Sequence, residues 1–310
     1  MMKKTVMFRF VPTMRCNFRC EYCFEENNQK KYSPTMFDDH SVQEWVEGMK
    51  KFSGYNVDLY FWGGEPFCIE GTYDFVRECC KLDNIISGFR IDTNVSYAEK
   101  IIERCPSPKI KLNCSYHMQY LSLEQEFTKV KKLKDLDMVG MVNFVASPYN
   151  LTHLKDDYGM NVQDLIDKFG DIGVFVNVAG DFAYANNPKY ERYEEYKEFI
   201  QQFISPEEWG WLRGQHSDER ECSAGQKMFT VNYNGKLTSC ISDKIYGDFF
   251  KGILEPDESA SICNKNCPSL VAYPFRMDNK YSSINSMLKY VNRNQKYRDT
   301  IKFPYKNFEF

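Results

Sequence analysis

Apolar side chains recur along the first two-thirds of the chain in two alternating patterns. Six short segments, at about residues 6–12, 57–62, 89–94, 110–116, 140–146 and 173–179, are dense in Val, Ile and Phe, which predicts strands. Between them apolar positions return at helical spacing. Val42, Trp45, Val46 and Met49 share one face, as do Phe75, Val76, Cys79 and Cys80, and then Phe127, Val130 and Leu133. Ser33 and Pro34 supply a start signal ahead of the first helix, and residues 190–203 read as a final helix after the sixth strand. Six strand–helix repeats predict a parallel sheet, barrel-like or doubly wound.

The strands carry polar residues on one face. Asn113, Ser115 and His117 alternate with Leu112, Cys114 and Tyr116; Arg90, Asp92 and Asn94 fall together; Asn143 and Asn177 interrupt the last two strands. A strand buried on both faces should be nearly continuously apolar, so either each strand holds one or two satisfied buried polar groups or the strands share a wet lumen. An open barrel would gather all of them into one cavity, and the lumen reading is preferred. The alternation stops near residue 205. Residues 228–233 and 236–241 read as two strands joined through Asn234 and Gly235, a strong hairpin pair. An amphipathic stretch containing Ile284, Met287, Leu288 and Val291 comes near the end. Two units follow, residues 1–204 and 205–310.

Composition changes little. The chain has 310 residues, 43% hydrophobic and 27% charged, with a net charge of −3. That gives no field to attract nucleic acid or an acidic membrane, and the Lys-rich stretch at 129–134 reads as a solvated helix face. The first apolar run is broken by Arg9 and Pro12, and no stretch approaches a membrane span. The expectation is a cytoplasmic protein with neither nucleic-acid nor membrane partners.

Twelve cysteines are many, and their tight grouping without a secretory leader points to metal rather than disulfides. Cys16, Cys20 and Cys23 directly follow the first strand. Three closely spaced thiolates can take three corners of a 4Fe–4S cube and leave one iron open; an open position marks a reactive site. The loop leaves the C-terminal end of a strand, where barrel active sites are built. A zinc knuckle would need a fourth ligand, and the nearest following candidate is His40. Cys222, Cys240, Cys263 and Cys267 form a second group around the hairpin, sufficient for one fully ligated cluster or for a four-thiolate zinc site. Cys79, Cys80, Cys105 and Cys114 read as core. Cys68, just past Glu65 and Pro66, is a minor candidate for a hydrogen donor, and the histidines at 40, 153 and 216 receive no role.

The motif Cys16–x3–Cys20–x–Tyr22–Cys23 resembles that of the radical S-adenosylmethionine superfamily. Gly63-Gly64-Glu65-Pro66 at the end of the second strand, Asp92-Thr93-Asn94 on the third, and Ser115-Tyr116-His117 on the fourth match further segments of that family, over about residues 1–180. The resemblance implies a partial (β/α)6 barrel with a small C-terminal hairpin-plus-helix module. It implies a 4Fe–4S cluster on Cys16, Cys20 and Cys23 whose open iron binds S-adenosylmethionine. The segment Gly63, Gly64 and Glu65 would meet the amino group, Asn94, Ser115 and His117 the ribose or methionine part, and Tyr22 the adenine. A flavodoxin- or ferredoxin-type protein would supply one electron, releasing a 5′-deoxyadenosyl radical that takes hydrogen from substrate in an oxygen-sensitive reaction. Val95 stands where the family pattern has glycine, which predicts a less free backbone there. Cys222, twelve residues, Gly235, four residues and Cys240, then the later pair, resemble the auxiliary modules called SPASM and twitch; four cysteines suit the one-cluster twitch form, an electron relay.

Two enzymatic readings compete. One is oxidative modification of a peptide or protein side chain, the commoner activity of relatives with such modules. The other is dehydrogenation or rearrangement of a small molecule, which the hydroxyl- and amide-binding groups of the lumen suit. Ile241 stands where sulfatase-maturing relatives carry Asp, which disfavours that branch. A plain electron-transfer protein is the non-catalytic alternative.

Overall fold

A computed structural model describes residues 3–23, 33–189, 191–203, 209, 220–240 and 244–263. Cys267, His216 and the amphipathic stretch at 284–291 lie outside them. Six strands lie side by side in chain order: β1 (Lys4–Phe10), β2 (Tyr55–Phe61), β3 (Ile86–Thr93), β4 (Ile110–Tyr116), β5 (Val139–Ala146) and β6 (Val176–Gly180). All five pairings are parallel. A doubly wound sheet reverses its order at a switch point; this one does not, and β1 and β6 are not bonded to each other. The architecture is the expected partial (β/α)6 barrel.

Helices α1 (Val42–Lys50), α2 (Glu70–Cys80), α3 (Ala98–Arg104), α4 (Leu123–Asp135), α5 (Pro148–Tyr158) and α6 (Val162–Gly170) connect successive strands. Alternate strand residues face them and are fully buried in one core, among them Phe8, Phe10, Leu59, Phe61, Phe89, Ile91, Leu112, Cys114, Val142 and Val178. Two segments differ from expectation. The helix predicted over 190–203 is shorter: α7 (Phe182–Ala185) and then α8 (Tyr193–Ile200). And α1 is not started from Ser33 and Pro34. Ser41 caps it in a reciprocal capping box with Glu44, while the Pro34 carbonyl accepts the Thr13 hydroxyl at 3.2 Å and Arg15 Nε donates to the Ser33 carbonyl at 2.7 Å. The Ser-Pro pair braces the cysteine loop instead.

The predicted hairpin exists in shorter form, β8 (Met228–Val231) and β9 (Lys236–Thr238), with Gly235 at φ +76°. It continues the barrel sheet: β8 pairs in parallel with β1 through Met7–Met228, Phe8–Phe229 and Arg9–Thr230, and β10 (Gly247–Asp248) and β11 (Ile253–Leu254) extend the sheet beyond β9. A separate two-stranded ribbon pairs β7 (Arg220–Cys222) with β12 (Ser261–Cys263). No helix among the described residues is long and apolar enough to cross a membrane.

Candidate active site

The chain leaves β1 at Phe10 and turns over the C-terminal mouth of the barrel. Cys16, Cys20 and Cys23 lie in this loop and share one packed cluster with Phe18 and Tyr22, against Leu121 and Val145. Cys20 is buried; Cys16 and Cys23 are half-buried. A backbone bond from Cys23 to the Cys20 carbonyl, 3.1 Å, closes the second half of the loop. The sulfur-rich donor set on one short loop fits an iron–sulfur cluster. Among the described residues no three His, Cys, Asp or Glu side chains form a ready site for a single metal ion.

Gly63 and Gly64 press against this loop. A Cβ on Gly63, at φ +131°, would strike the Thr13 carbonyl oxygen, and one on Gly64 would strike the Arg15 carbonyl oxygen. Gly64 and Glu65 donate their amides to Thr13 and Arg15 at 3.1 and 2.8 Å. The loop and the end of β2 therefore form one body. The Glu65 carboxylate is wholly buried and accepts from the Phe67 amide at 3.0 Å, the Asn94 amide at 2.7 Å and the Thr93 hydroxyl at 3.0 and 3.1 Å. Burial, against those hydrogen bonds, pushes its carboxyl up to about 7. In this structure the side chain ties the end of β2 to the end of β3.

Asn94 reaches the loop: its Nδ2 donates to Asn17 Oδ1 at 2.9 Å and lies 3.9 Å from Cys16 Sγ. His117 stands opposite. Its Nδ1 lies 3.1 Å from Cys20 Sγ and 2.8 Å from the Tyr22 hydroxyl, and its ring runs parallel to that of Tyr22, 11° apart. Burial raises the Tyr22 hydroxyl above the ordinary phenol range. Ser115 lies one step further in, level with Asn143 and Asn177 in register. The structure thus gathers Cys16, Cys20, Tyr22, Cys23, Gly63, Gly64, Glu65, Asn94 and His117 at one mouth, with Ser115 just inside. Cys68 donates to the Arg15 carbonyl at 3.5 Å, and burial pushes its thiol up to about 12, so it stays protonated at neutral pH.

Below the mouth the polar strand face is continuous. Arg9, Tyr60, Arg90 and Lys111 stand level across four strands. One layer nearer the mouth Asp92 accepts from the Tyr60 hydroxyl at 2.6 Å and from Asn113 at 2.7 Å, and Asn177 donates to Asn143 at 3.0 Å. The polar strand face expected from the sequence is present, with Tyr60, Asp92 and Asn113, and Asn143 with Asn177, bonded to one another. A cavity of about 620 Å³ lies elsewhere, on the outer wall between α5, α6 and α8, lined by Leu151, Met160, Tyr184, Tyr196 and Phe199 among others; no expected site residue borders it.

Several residues at the mouth were not singled out in the sequence. Tyr120 stacks on Phe18 at 4.1 Å and its hydroxyl accepts the Arg19 amide at 2.7 Å. Gln119 accepts the Glu21 amide at 3.2 Å, and Ser96 accepts from Asn17 at 3.0 Å. Their only signal was position, each within three residues of His117 or Asn94. In the C-terminal unit Cys222 is buried and Cys240 exposed. The register sets Ser261 opposite Cys222, so Cys263 lies two residues further along the adjacent strand.

Residues 6–159 match the family model described as a 4Fe-4S single cluster domain, a span that contains every residue gathered at the mouth. No curated protein matches the sequence. Among solved structures, native anSMEcpe with bound AdoMet and Cp18Cys peptide is similar over 96% of this chain and 99% of that one, with 14% identity and a TM-score of 0.50; the two share a fold. Streptococcus suis SuiB bound to S-adenosylmethionine matches 80% of this chain at 14% identity and a TM-score of 0.49, and the chain spans only 64% of SuiB's length. BtrN in complex with AdoMet and 2-DOIA matches 97% of this chain and 93% of that one, at 13% identity and a TM-score of 0.38.

Proposed function

We propose that this chain, whose residues 6–159 match a 4Fe-4S single cluster domain, is a radical S-adenosylmethionine enzyme that oxidatively modifies a side chain of a peptide or protein. The observation that carries the reading is the convergence of three cysteines in one packed cluster at the barrel mouth, braced by Gly63 and Gly64 and faced by His117. When bound, the cluster supplies the electron that cleaves S-adenosylmethionine to a 5′-deoxyadenosyl radical, which takes hydrogen from the substrate. This chain's own residues do the rest. Cys16, Cys20 and Cys23 hold the cluster. The backbone of Gly63 and Gly64, with Asn94, Ser115 and His117, lines the place of the cosubstrate, and Tyr22 borders the adenine. Glu65 is a positioning residue, since its oxygens are already engaged by Phe67, Thr93 and Asn94.

A flavodoxin- or ferredoxin-type partner would deliver the electron. Residues 205–310, with Cys222, Cys240, Cys263 and Cys267, would hold a second 4Fe–4S cluster as a relay, and residues 1–204 the catalytic barrel. A second reading, a small hydroxylated substrate, is favoured by one feature: the amide and hydroxyl lining of Asn113, Ser115, Asn143 and Asn177.

Anaerobic reconstitution with iron and sulfide, then dithionite and S-adenosylmethionine, tests the proposal. We expect 5′-deoxyadenosine, lost when Cys16, Cys20 or Cys23 becomes Ala. Absence of 5′-deoxyadenosine from a fully loaded protein would overturn it. A peptide carrying deuterium that transfers its label into 5′-deoxyadenosine would separate the peptide reading from the small-molecule one.

A further inference from the structure

Buried N–H donors of the lumen wall lack hydrogen-bond partners among the described residues. Arg9 Nε and Trp62 Nε1 are both sealed from solvent and have no hydrogen-bond partner among the described residues. Buried donors in native proteins are nearly always bonded, so these orphans mark a place for a partner beyond the described residues. Both side chains point into the barrel. Phe8 and Phe10, on either side of Arg9, and Phe61, next to Trp62, all belong to the core on the helix side, so strand alternation turns Arg9 and Trp62 the other way. The Arg9 guanidinium lies 5.6 Å from the Trp62 ring and 6.0 Å from the Tyr60 ring. Two aromatic neighbours hold it in place and leave its donor edge available.

The acids of the lumen do not answer this charge fully. Asp92 feels the charges of Arg90 and Arg9, but its oxygens are engaged by the Tyr60 hydroxyl and Asn113. Asp58 stands level with Met7, two residues below Tyr60 along β2. Burial raises its carboxyl to about 7, against the pull of Arg90, so near neutrality it is only partly charged. Arg90 faces the same space, level with Tyr60 in register.

We infer that the lumen receives a carboxylate of the substrate, bound by Arg9 with Trp62 as second donor. A planar guanidinium matches a carboxylate edge to edge. Arg9 lies four residues before Thr13, roughly 13 Å at strand rise. A substrate anchored there would extend up towards the cysteine loop with its reacting carbon above the anchor. The inference rests on reading the lumen as the substrate chamber, and it adds the class of substrate: an acidic group, supplied by a side chain or by a chain terminus.

Isothermal titration of the reconstituted holoenzyme tests it with three probes: N-acetyl-glutamate α-amide, its neutral isostere N-acetyl-glutamine α-amide, and N-acetylglycine, whose carboxylate is terminal. Expected is a preference of about tenfold or more for the better carboxylate probe over the neutral one, the order that charge-assisted hydrogen bonds give. Which carboxylate probe binds better identifies the source of the group. Arg9→Gln should abolish the preference. Trp62→Phe should weaken the carboxylate probe several-fold and leave the neutral one unchanged, and it serves as the deciding variant if Arg9→Gln does not fold by circular dichroism. Equal binding of acid and amide, no binding of either acid at millimolar concentration, or a preference that survives in a folded Arg9→Gln protein would each overturn the inference. Formation of 5′-deoxyadenosine is assayed separately without substrate, so the enzymatic reading and the carboxylate site can fail independently.

Discussion

Val95 has a backbone φ of +50°, a conformation that a β-branched residue adopts only under constraint. The sequence shows Val where the resembling family has glycine, and the expectation is a less free backbone. The structure holds a left-handed turn there despite the side chain. The reason lies in its neighbours: Glu65 accepts the Asn94 amide, Thr93 accepts the Val95 amide at 3.2 Å, and Asn94 accepts both the amide and the hydroxyl of Ser96. Four side-chain bonds set the turn, and Val95 follows it at a cost of about 1–3 kcal/mol. Its side chain is fully buried, worth about 1.5–3 kcal/mol in transfer from water. Val95→Gly removes both, so the two should cancel to within about 2 kcal/mol, read from urea unfolding midpoints. A loss of several kcal/mol, as for an ordinary buried valine, would show that the turn stores no strain.

Elements whose signals are local were legible in the sequence, and those set by distant partners were not. The apolar faces of the strands and of α1 and α2 are short-range patterns, and all appear where expected to within a few residues. The start of α1 is different, because Ser33 and Pro34 look like a helix start but are claimed by Thr13 and Arg15, some twenty positions away. In α4 the sequence marked Phe127, Val130 and Leu133, yet the buried face is Leu123, Glu126, Val130 and Leu133. A charged residue gives no hint that it will be enclosed. Glu126 is fully buried, neither of its oxygens has a hydrogen-bond partner among the described residues, and desolvation raises its carboxyl well above the ordinary value, opposed by Lys129. The folded state therefore keeps a proton that the unfolded chain releases near its ordinary value of about 4.3, so stability is greatest below that pH and falls as pH rises towards the folded value. Glu126→Gln, similar in shape and uncharged, should match wild type near pH 4 and exceed it increasingly at pH 7 and 8 in thermal or urea unfolding. A gap that does not grow with pH would mean that Glu126 has a partner when the protein is in solution.

At the scale of the molecule the C-terminal hairpin, read from sequence as part of a second unit over residues 205–310, is joined to the barrel through β1 and β8. Phe249 is the rivet. Its ring lies 5.8 Å from Phe10, 5.2 Å from Trp45 and 5.5 Å from Phe52, and a Cβ on Gly48 would strike it. Such a contact was invisible in sequence because it joins residues some two hundred positions apart. Phe249→Ala should cost about 3–5 kcal/mol and shift one cooperative transition rather than split it; two transitions would show that the units unfold independently. The same junction bears on the second cluster. The ribbon of β7 and β12 brings Cys222 and Cys263 onto adjacent strands, two residues apart in register, and Cys222 is buried. If this is a relay, wild type should bind about eight irons per chain and Cys222→Ser about four, with loss of the cluster on the ribbon but 5′-deoxyadenosine formation from the first cluster retained. A zinc site gives a different balance: about four irons and one zinc in wild type, and only the zinc lost in the variant. Iron and zinc counts on both proteins, beside the 5′-deoxyadenosine yield, decide between them, because the ligands of the first cluster lie in a loop that the Cys222 substitution does not touch.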